Sequence, residues 1–325
     1  MTLKNSVIRG LKKISLGNDV FYRAKSLLGR LPKPDMSFPA LINIEISSIC
    51  NLKCTHCPPH MDIFKGQSRK HNNMGLSTFN KIMDEIDKFG KRSISLHKDG
   101  EPLLHPNIEE ILNRVKLNQD HLVYLTTNGH KLNKRINEIL LKNKIDIINI
   151  SLGAATAEFY EKIRGRDFIK VMDNINCLLE DIKKAAWKPR IIMQIIELSE
   201  FPEMKEEIKK FKQTWQTRDV EISIWKKLNW GVFKENSVFS YRYPCYSLWE
   251  SFNINSNNIV TACCMDWKQE LVIGNIENNR IEEIWQDDLL RRLRVMHING
   301  EESKIEMCEK CNYWSWQPKL MKYPI

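Results

Sequence analysis

Three cysteines near residue 50 have the types and spacing needed to bind a metal centre. The stretch ISSICNLKCTHCPPH, residues 46–60, places Cys50, Cys54 and Cys57 at intervals of four and three residues, just after an apolar run. Thiolates at these intervals can converge on one centre, and they suit an iron-sulfur cluster better than tetrahedral zinc, which usually comes in CxxC pairs. Three thiolates cannot supply a fourth ligand. A zinc knuckle and three buried structural cysteines are the alternatives.

Composition places these cysteines in a globular, reducing context. The 325 residues are 42% hydrophobic, which is enough for one large core or two smaller ones. No apolar run reaches the roughly 18 residues that cross a bilayer, and the first residues contain no long apolar signal core, so we expect a cytoplasmic protein without a membrane span. Nine cysteines in that compartment would stay reduced, which favours metal or redox chemistry over disulfides.

The basic charge indicates no nucleic-acid partner. The net charge of +10 arises from lysines that alternate with glutamates in helical segments such as KIMDEIDKFGKR and EEIKKFKQ, a pattern typical of solvated helix faces. No basic run alternates with aromatic residues, as a nucleic-acid surface would require. An anionic substrate remains compatible with the charge.

The elements that must position the cysteines follow a repeating β/α pattern. Six β-rich runs occur at residues 41–47, 93–97, 121–127, 146–152, 190–196 and 219–225, and amphipathic helical stretches follow most of them. Such units predict a parallel sheet covered by helices, with right-handed crossovers, either as an open doubly wound sheet or as an incomplete barrel. In both cases the chemistry belongs at the carboxyl ends of the strands.

The pattern divides the chain into three predicted regions. Residues 1–38 form a basic, partly helical extension that ends in the proline-rich LPKPDMSFP; we expect it to pack over one end of the barrel, with a membrane-surface helix as the alternative. Residues 39–235 contain the β/α units. Residues 236–325 carry five of the nine cysteines, a hairpin-like FNINSNNIVTACC and one helical segment, IEEIWQDDLLRRLRVMH, and they predict a small domain held together by metal. Cys177, in the helical NINCLLE, is predicted to be a buried core residue.

The sequence CNLKCTHC matches the CxxxCxxC signature of radical S-adenosylmethionine (SAM) enzymes, and the chain resembles that superfamily. The resemblance implies a partial (β/α)6 TIM-like barrel and a 4Fe-4S cluster held by Cys50, Cys54 and Cys57. It also implies that SAM chelates the open iron and is cleaved to a 5'-deoxyadenosyl radical. His56 takes the place where the family usually has an aromatic ring beside the adenine.

Further matches occur at the ends of successive predicted strands. HKDGEPLLHP resembles the family's GGEP motif, with Asp99 in place of the first glycine, and TTNGH resembles the TNG turn beneath the cofactor. YEKIRG contains an arginine that resembles a contact to the SAM carboxylate. The resemblance therefore implies SAM-binding roles for Gly100, Glu101, Pro102, Asn128, Ser151 and Arg164. For Ser151 and Arg164 the alternative is a polar group satisfied by local backbone, and Gln194 is a weaker candidate.

The C-terminal region resembles the SPASM or twitch extension of these enzymes. The resemblance implies a second, auxiliary 4Fe-4S cluster with four thiolate ligands, Cys245, Cys263, Cys308 and Cys311. Asn258 stands where the family pattern has glycine, and asparagine tolerates the left-handed turn that would close the hairpin. Cys264 is an alternative ligand to Cys263, and a zinc ribbon is the alternative to the cluster.

The resemblance implies a reaction that begins with removal of a hydrogen atom from an unactivated carbon. We expect an oxidoreductase acting on a sugar-like or polyol-like small molecule, with electrons from a flavodoxin-type or ferredoxin-type donor. A maturase that modifies a ribosomally made peptide or protein is the alternative, and a non-catalytic iron-sulfur or zinc protein is the alternative from a different class.

A substrate pocket is predicted where strand six leads into the C-terminal region. ISIWKKLNWGVF offers hydrogen-bond donors from Lys226, Lys227 and Asn229, with Trp225 and Trp230 as stacking walls. The alternative is a solvated loop whose tryptophans pack a domain junction.

Overall fold

Nine strands of the described chain form one sheet. The computed structural model describes residues 37–67, 69–231, 242 and 244–316. Its strands are β1 Leu41–Ile44, β2 Ser93–Ser95, β3 Leu122–Thr127, β4 Ile147–Ser151, β5 Arg190–Glu197, β6 Glu221–Lys226, β7 Ser251–Ile254, β8 Ile259–Thr261 and β9 Val272–Asn275. The sheet order is β6-β5-β4-β3-β2-β1-β7-β8-β9.

The order of the first six strands distinguishes between the two predicted architectures. Strands β1 to β6 are parallel and neighbours in sequence are neighbours in the sheet. A doubly wound sheet would reverse its order at a switch point, whereas a barrel winds in one direction. Because β6 lies at one end of the order, the six strands form an incomplete barrel, and the predicted fold class is confirmed.

A helix follows each of the strands β1 to β5, because the segment after the loop at the end of each strand is amphipathic. The helices are α1 Leu76–Ile86, α2 Ile108–Val115, α3 Lys134–Lys142, α4 Ala157–Arg164, α5 Phe168–Lys184, α6 Met204–Trp215, α7 Ser247–Glu250, α8 Ile281–Gln286, α9 Asp288–Ile298 and α10 Glu306–Lys310. On the strands, Ile42, Ile94, Val123 and Ile148 are fully buried. β-Branched residues favour the pleated backbone and fill this core.

Three antiparallel strands extend the sheet beyond β1. β7 pairs with β8 and β8 with β9, and the Glu45 N–H donates to the Ile254 carbonyl at 2.9 Å. Asn258 has φ of 71° in the β7–β8 turn, as the sequence predicted for the position where relatives have glycine. Strand β9 was not predicted.

Two sequence predictions of local structure are wrong. The segment 281–297 forms two helices, because Asp287 adopts an extended conformation and its carboxylate accepts from the Leu289 N–H at 2.7 Å, which starts a new helix. Cys177 is exposed and not part of the core. Helix α5 buries Val171, Ile175 and Leu178 instead, and the thiol of Cys177 lies on a different part of the helix surface.

The chain divides into two compact units. One comprises Leu41–Lys227 and Phe252–Ile284, and the other comprises the described parts of residues 1–40, 228–251 and 285–325. The predicted N-terminal extension lies outside the described residues except for Ser37 and Phe38, and so does the predicted boundary at 235/236. Within the part that the structure describes, no helix is both long and apolar enough to cross a membrane.

Candidate SAM and iron-sulfur site

The cysteine triad lies in the loop that follows β1. The Cys57 N–H donates to the Cys54 carbonyl at 3.1 Å, and the Thr55 N–H donates to the Ile163 carbonyl of α4 at 2.9 Å, which fixes the loop. The thiols of Cys54 and Cys57 and one ring nitrogen of His56 lie within 4.8 Å of one another. The turn therefore brings two of the three predicted ligands together.

His56 is a neutral ring in this loop. Its side chain is buried, and burial, with the nearby cations of Arg164 and Lys227, lowers its pKa to about 3. An uncharged planar imidazole is compatible with the predicted place beside an adenine. Its nitrogen in the thiol group also makes it a ligand candidate that the spacing of the cysteines did not indicate.

Arg164 connects the cysteine loop to the end of β4. Its guanidinium is buried, donates from Nη2 to the Ser151 hydroxyl at 2.9 Å and lies 3.5 Å from the Cys54 sulfur through Nη1. Its buried Nε has no hydrogen-bond partner among the described residues. A Cβ at Gly153, which has φ of 80°, would lie 2.7 Å from that nitrogen, so the arginine fills the space a side chain would need.

The electrostatics of the triad favour a thiolate at Cys54. A hydrogen bond from Cys57 and the nearby Arg164 cation lower the pKa of Cys54, whereas burial raises it. Together they bring the pKa to about 6. Burial raises the pKa of Cys50, and the hydrogen bond to Cys54 raises that of Cys57. Iron binds cysteine in the thiolate form. Cys54 favours this form, and the Arg164 cation beside it stabilises added negative charge.

Gly100 allows the loop after β2 to lie against the cysteine loop. A Cβ at this position would lie 2.2 Å from the Ser47 carbonyl oxygen and 2.7 Å from Ser48 backbone atoms. Glycine is therefore required here for contact with the protein's own backbone. Pro102 follows at the start of a short 3-10 turn, Pro102–Leu104, and stiffens it.

Glu101 is a buried carboxylate that ties three strand ends together. It accepts from the Leu103 N–H at 3.1 Å, the Thr127 hydroxyl at 2.7 Å and the Asn128 N–H at 2.7 Å. Its own N–H donates to the Ile49 carbonyl at 2.8 Å. Burial raises its pKa to about 7, although the three donors act in the opposite direction.

Asn128 contacts the cysteine loop from the end of β3. Its side-chain Nδ2 donates to Asn51 Oδ1 at 2.9 Å and lies 3.9 Å from the Cys50 sulfur. Its Oδ1 accepts from the His130 N–H at 3.0 Å, which closes the turn after β3. Asn51 was not predicted as a site residue, and no local signal in the sequence distinguishes it.

Ser151 and Gln194 face each other in the register of β4 and β5. Ser151 accepts from Arg164, and the Asn149 amide donates to Gln194 Oε1. All six predicted SAM-binding residues thus lie at the carboxyl ends of β2, β3 and β4 or on α4, and contacts from Glu101, Asn128 and Arg164 join them to the cysteine loop.

The C-terminal cysteines fall in both compact units. In one unit, Cys308 lies in α10 and Cys311 ends it; burial, with Cys245 and Cys311 nearby, raises the pKa of Cys308 to about 12. Arg242 donates to the Cys308 carbonyl at 2.6 Å, and the Cys245 N–H donates to His297 Nδ1 at 3.3 Å.

Cys263 follows β8 in the other unit. Its sulfur accepts from the Met265 N–H at 3.3 Å, and the Cys311 sulfur accepts from the Tyr313 N–H at the same distance. Amide-to-sulfur hydrogen bonds of this kind stabilise cluster thiolates. The hydrogen bond from Met265 supports Cys263 as a candidate ligand.

At least three of the five side chains proposed for a substrate pocket near β6 have protein partners. Lys227 pairs with Glu200 at 2.5 Å, and the Trp225 indole donates to the Ser223 hydroxyl at 2.7 Å. The Asn229 amide donates to the Lys310 carbonyl at 2.6 Å. These contacts favour the alternative of a solvated loop and a packed linker for Lys227 and Asn229.

Comparison with known proteins identifies the family. The model of the radical SAM superfamily matches residues 44–214, so the chain belongs to this superfamily. Residues 245–312 match SPASM, an iron-sulfur cluster-binding domain. These matches confirm the predicted cofactors, namely a 4Fe-4S cluster with SAM and an auxiliary 4Fe-4S cluster in the C-terminal region.

Curated relatives match part of the chain. A protein named probable GTP 3',8-cyclase from Methanococcus maripaludis is 34% identical over 143 residues, 44% of each chain. The GTP 3',8-cyclase of Clostridium acetobutylicum is 29% identical over 172 residues, 51% of this chain and 52% of that protein. The chain thus spans about half the length of the curated relatives it matches.

Solved structures share the fold over most of the chain. Native anSMEcpe with bound AdoMet has a TM-score of 0.61 at 16% identity, covering 83% of this chain and 89% of that one. BtrN in complex with AdoMet and 2-DOIA has a TM-score of 0.58 at 18% identity, covering 84% and 92%. Streptococcus suis SuiB bound to the precursor peptide SuiA has a TM-score of 0.56 at 18% identity, covering 85% and 72%. At these identities the likeness shows the fold alone.

Proposed function

We propose that this radical SAM enzyme oxidises a sugar-like or polyol-like small molecule. The observation that carries the radical and redox chemistry of the proposal is the pairing, in one chain, of a three-thiol loop with a four-thiol C-terminal set. When bound, the cofactors supply a 5'-deoxyadenosyl radical that removes a substrate hydrogen and, at a fully ligated cluster, an acceptor for the electron left behind. An electron donor of the flavodoxin or ferredoxin type supplies the first electron.

Each candidate site residue has a proposed role in binding a cluster or SAM. Cys50, Cys54 and Cys57 are the proposed ligands of the SAM-binding cluster. Gly100, Glu101, Pro102, Asn128, Ser151 and Arg164 surround the SAM, and Cys245, Cys263, Cys308 and Cys311 are the proposed ligands of the auxiliary cluster. Arg164 lies where a buried cation can pair with a carboxylate, and its unpartnered Nε is a donor for it. The three-region division at 38/39 and 235/236 is part of the proposal.

Deuterium transfer tests the substrate class. The reconstituted, dithionite-reduced enzyme is incubated anaerobically with SAM and either carbon-deuterated myo-inositol and glucosamine or a deuterated precursor-type peptide. Mass spectrometry then measures deuterium in 5'-deoxyadenosine. We expect transfer from a polyol or amino sugar together with a carbonyl product. Transfer from the peptide alone would show a maturase, and colourless protein containing zinc would exclude radical chemistry.

Binding of SAM is expected to release a proton from Glu101. The pKa of this carboxyl is raised to about 7 by burial. The resemblance to the GGEP motif implies that the SAM ammonium binds at this loop, and a cation there favours the ionised carboxylate and lowers its pKa. At pH 7 roughly half a proton should leave per SAM bound, and affinity should rise between about pH 5.5 and pH 8 and then level off. Calorimetry in two buffers of different ionisation enthalpy measures the proton count. Glu101→Gln should bind SAM without that proton release; equal release in both proteins would assign the titration to another group.

A further inference from the structure

Four charged side chains form a buried cluster at the carboxyl ends of β1 and β2. Arg69 donates to Glu45 Oε1 at 2.6 Å and to Asp99 Oδ2 at 3.3 Å, and Lys98 donates to the same Asp99 oxygen at 2.8 Å. The side chains of Glu45, Arg69, Lys98 and Asp99 are 0%, 9%, 2% and 5% exposed. We call these four residues the buried tetrad. Two positive and two negative charges make it neutral.

The buried tetrad contacts the turns at both ends of strand β8. Glu45 Oε2 accepts from the N–H and the hydroxyl of Ser256, both at 3.0 Å, and Arg69 donates to Asn255 Oδ1 at 3.2 Å. These two residues lie in the β7–β8 turn. The partners are about 190 to 210 residues apart in sequence and belong to the same compact unit.

Lys98 reaches the turn that contains Cys263. Its ammonium donates to the Asp266 carbonyl at 3.2 Å, and the Asp266 N–H donates to the Cys263 carbonyl at 3.2 Å. The Asp266 carboxylate accepts from the N–H groups of Glu270 and Leu271 at 2.9 and 2.8 Å, which closes the loop after the cysteine. The turn is thus fixed on one side by its own backbone and on the other by Lys98.

The other side of the buried tetrad is the SAM motif. Asp99 directly precedes Gly100, whose backbone lies against Ser47 and Ser48, and Glu101, which binds the end of β3. One covalent step and two hydrogen bonds therefore separate the SAM motif from the Cys263 turn. Asp99 is also the residue by which the motif departs from the glycine of the family pattern.

A gain in folding stability alone does not explain why the four charged side chains of the buried tetrad are buried. Desolvating four charges costs several kcal/mol per ion, and apolar residues of similar volume often serve a core equally well. In some proteins a buried ion pair instead selects one geometry, because a shift that separates the charges leaves one of them uncompensated. A fixed geometry is useful where two redox centres must keep their separation.

We propose that Lys98 and Asp99 are positioning residues that hold the Cys263 turn in place against the SAM motif. The proposal rests on the proposed assignment of Cys263 as a cluster ligand. Outer-shell groups that hold a ligand in place control occupancy and redox behaviour of a metal site, often by about tenfold to a hundredfold.

Lys98→Met and Lys116→Met form a matched pair of variants. Lys116 is likewise 2% exposed and binds one carboxylate, Asp146, and one carbonyl, that of His121, each at 3.0 Å, but it lies before β3, at the opposite edge of the sheet. Both variants remove a buried ammonium that pairs with one carboxylate and one carbonyl, although Asp146 is 20% exposed and Asp99 5%. Only Lys98→Met loses a contact to the Cys263 turn.

The readouts are iron content and electron paramagnetic resonance of the two clusters in the full-length holoenzyme, poised at one fixed potential. Lys98→Met is expected to lower occupancy of the auxiliary cluster, or to change its ratio of reduced to oxidised form, by about tenfold. The signal of the core cluster with SAM should remain. Lys116→Met should lower the melting temperature and leave both cluster signals in their wild-type ratio. An unchanged auxiliary signal in folded Lys98→Met, or equal changes in both variants, would overturn the proposal.

Further variants test the proposal if Lys98→Met does not fold, and they also test the assignment of Cys263 as a ligand. If Lys98→Met does not fold, Asp99→Asn retains the size and one acceptor of the carboxylate and removes its charge, and it should change the auxiliary signal in the same direction; an unchanged signal would again overturn the proposal. Cys263→Ser and Cys264→Ser test the assignment beneath it: loss of the auxiliary cluster in Cys264→Ser alone would overturn it. Failure of the proposed function would be seen differently, as wild-type protein with both clusters that transfers no deuterium from a polyol or amino sugar.

Discussion

Replacing Cys50, Cys54 and Cys57 together by alanine is expected to abolish formation of 5'-deoxyadenosine and to leave about four irons per chain. The loop places the thiols of Cys54 and Cys57 in one group with Arg164 beside them, and no other cysteine lies between β1 and α1. Without these three thiolates the core cluster has no cysteine ligands, whereas the four cysteines of the C-terminal set are unchanged. Iron analysis and chromatography of the dithionite-driven reaction measure the two outcomes.

Cys177→Ala is the matched control for this variant. Its thiol is exposed on α5, so its loss removes one cysteine without touching either proposed cluster. It should retain about eight irons per chain and cleave SAM as wild type does. A triple variant that still cleaves SAM would show that the core cluster is held elsewhere in the chain.

The triple variant also separates the two clusters experimentally. With the core cluster removed, the remaining iron reports on the C-terminal set alone, and its spectrum can be compared with that of wild type. Because the buried Arg164 guanidinium donates to the Cys54 sulfur, loss of that acceptor leaves a buried charge less compensated, and we further expect the loop to be less stable in this variant.

The strands and the main site residues could be predicted because their signals are local. Runs such as HLVYLTT and DIINISL combine β-branched and apolar residues with flanking loops, and the observed β3 and β4 lie within them. The TNG motif begins at the last residue of β3, and the GEP motif lies in the loop that follows β2. In a parallel sheet, position after a strand is enough to place a residue at the carboxyl edge.

Contacts between distant segments left no such local signal. The role of Gly100 in admitting the backbone of Ser47, and the pairing of Glu45 with Ser256, depend on residues 53 and 211 positions apart. The break at Asp287 was missed for another reason, since an aspartate inside an amphipathic pattern can lie on the solvent face or begin a new helix. The backbone conformation at Asp287 decides which of these two outcomes occurs. Hydrophobic periodicity carries no information about that conformation.

Cys308→Ala and Cys311→Ala are expected to remove the auxiliary cluster and to expose the C-terminal region to proteolysis. The segment around them has little regular structure: α10 is five residues long, and α7 is four. Helices this short are not stable alone, so the fold here depends on tertiary contacts and on metal. Burial raises the pKa of Cys308 to about 12, and a thiolate at that position therefore requires a cation, which the cluster iron supplies.

Each variant should retain about four irons per chain and detectable uncoupled cleavage of SAM, while limited proteolysis cuts after about residue 236. Cys177→Ala again serves as the control and should show the wild-type digestion pattern. Arg242 donates to the Cys308 carbonyl at 2.6 Å and lies 5.5 Å from the Trp314 ring, and neither contact uses a thiol, so both are retained in the two variants. Wild-type iron content and proteolytic resistance in both variants would mean that contacts such as these hold the region without metal, and the four-thiol assignment would have to be abandoned.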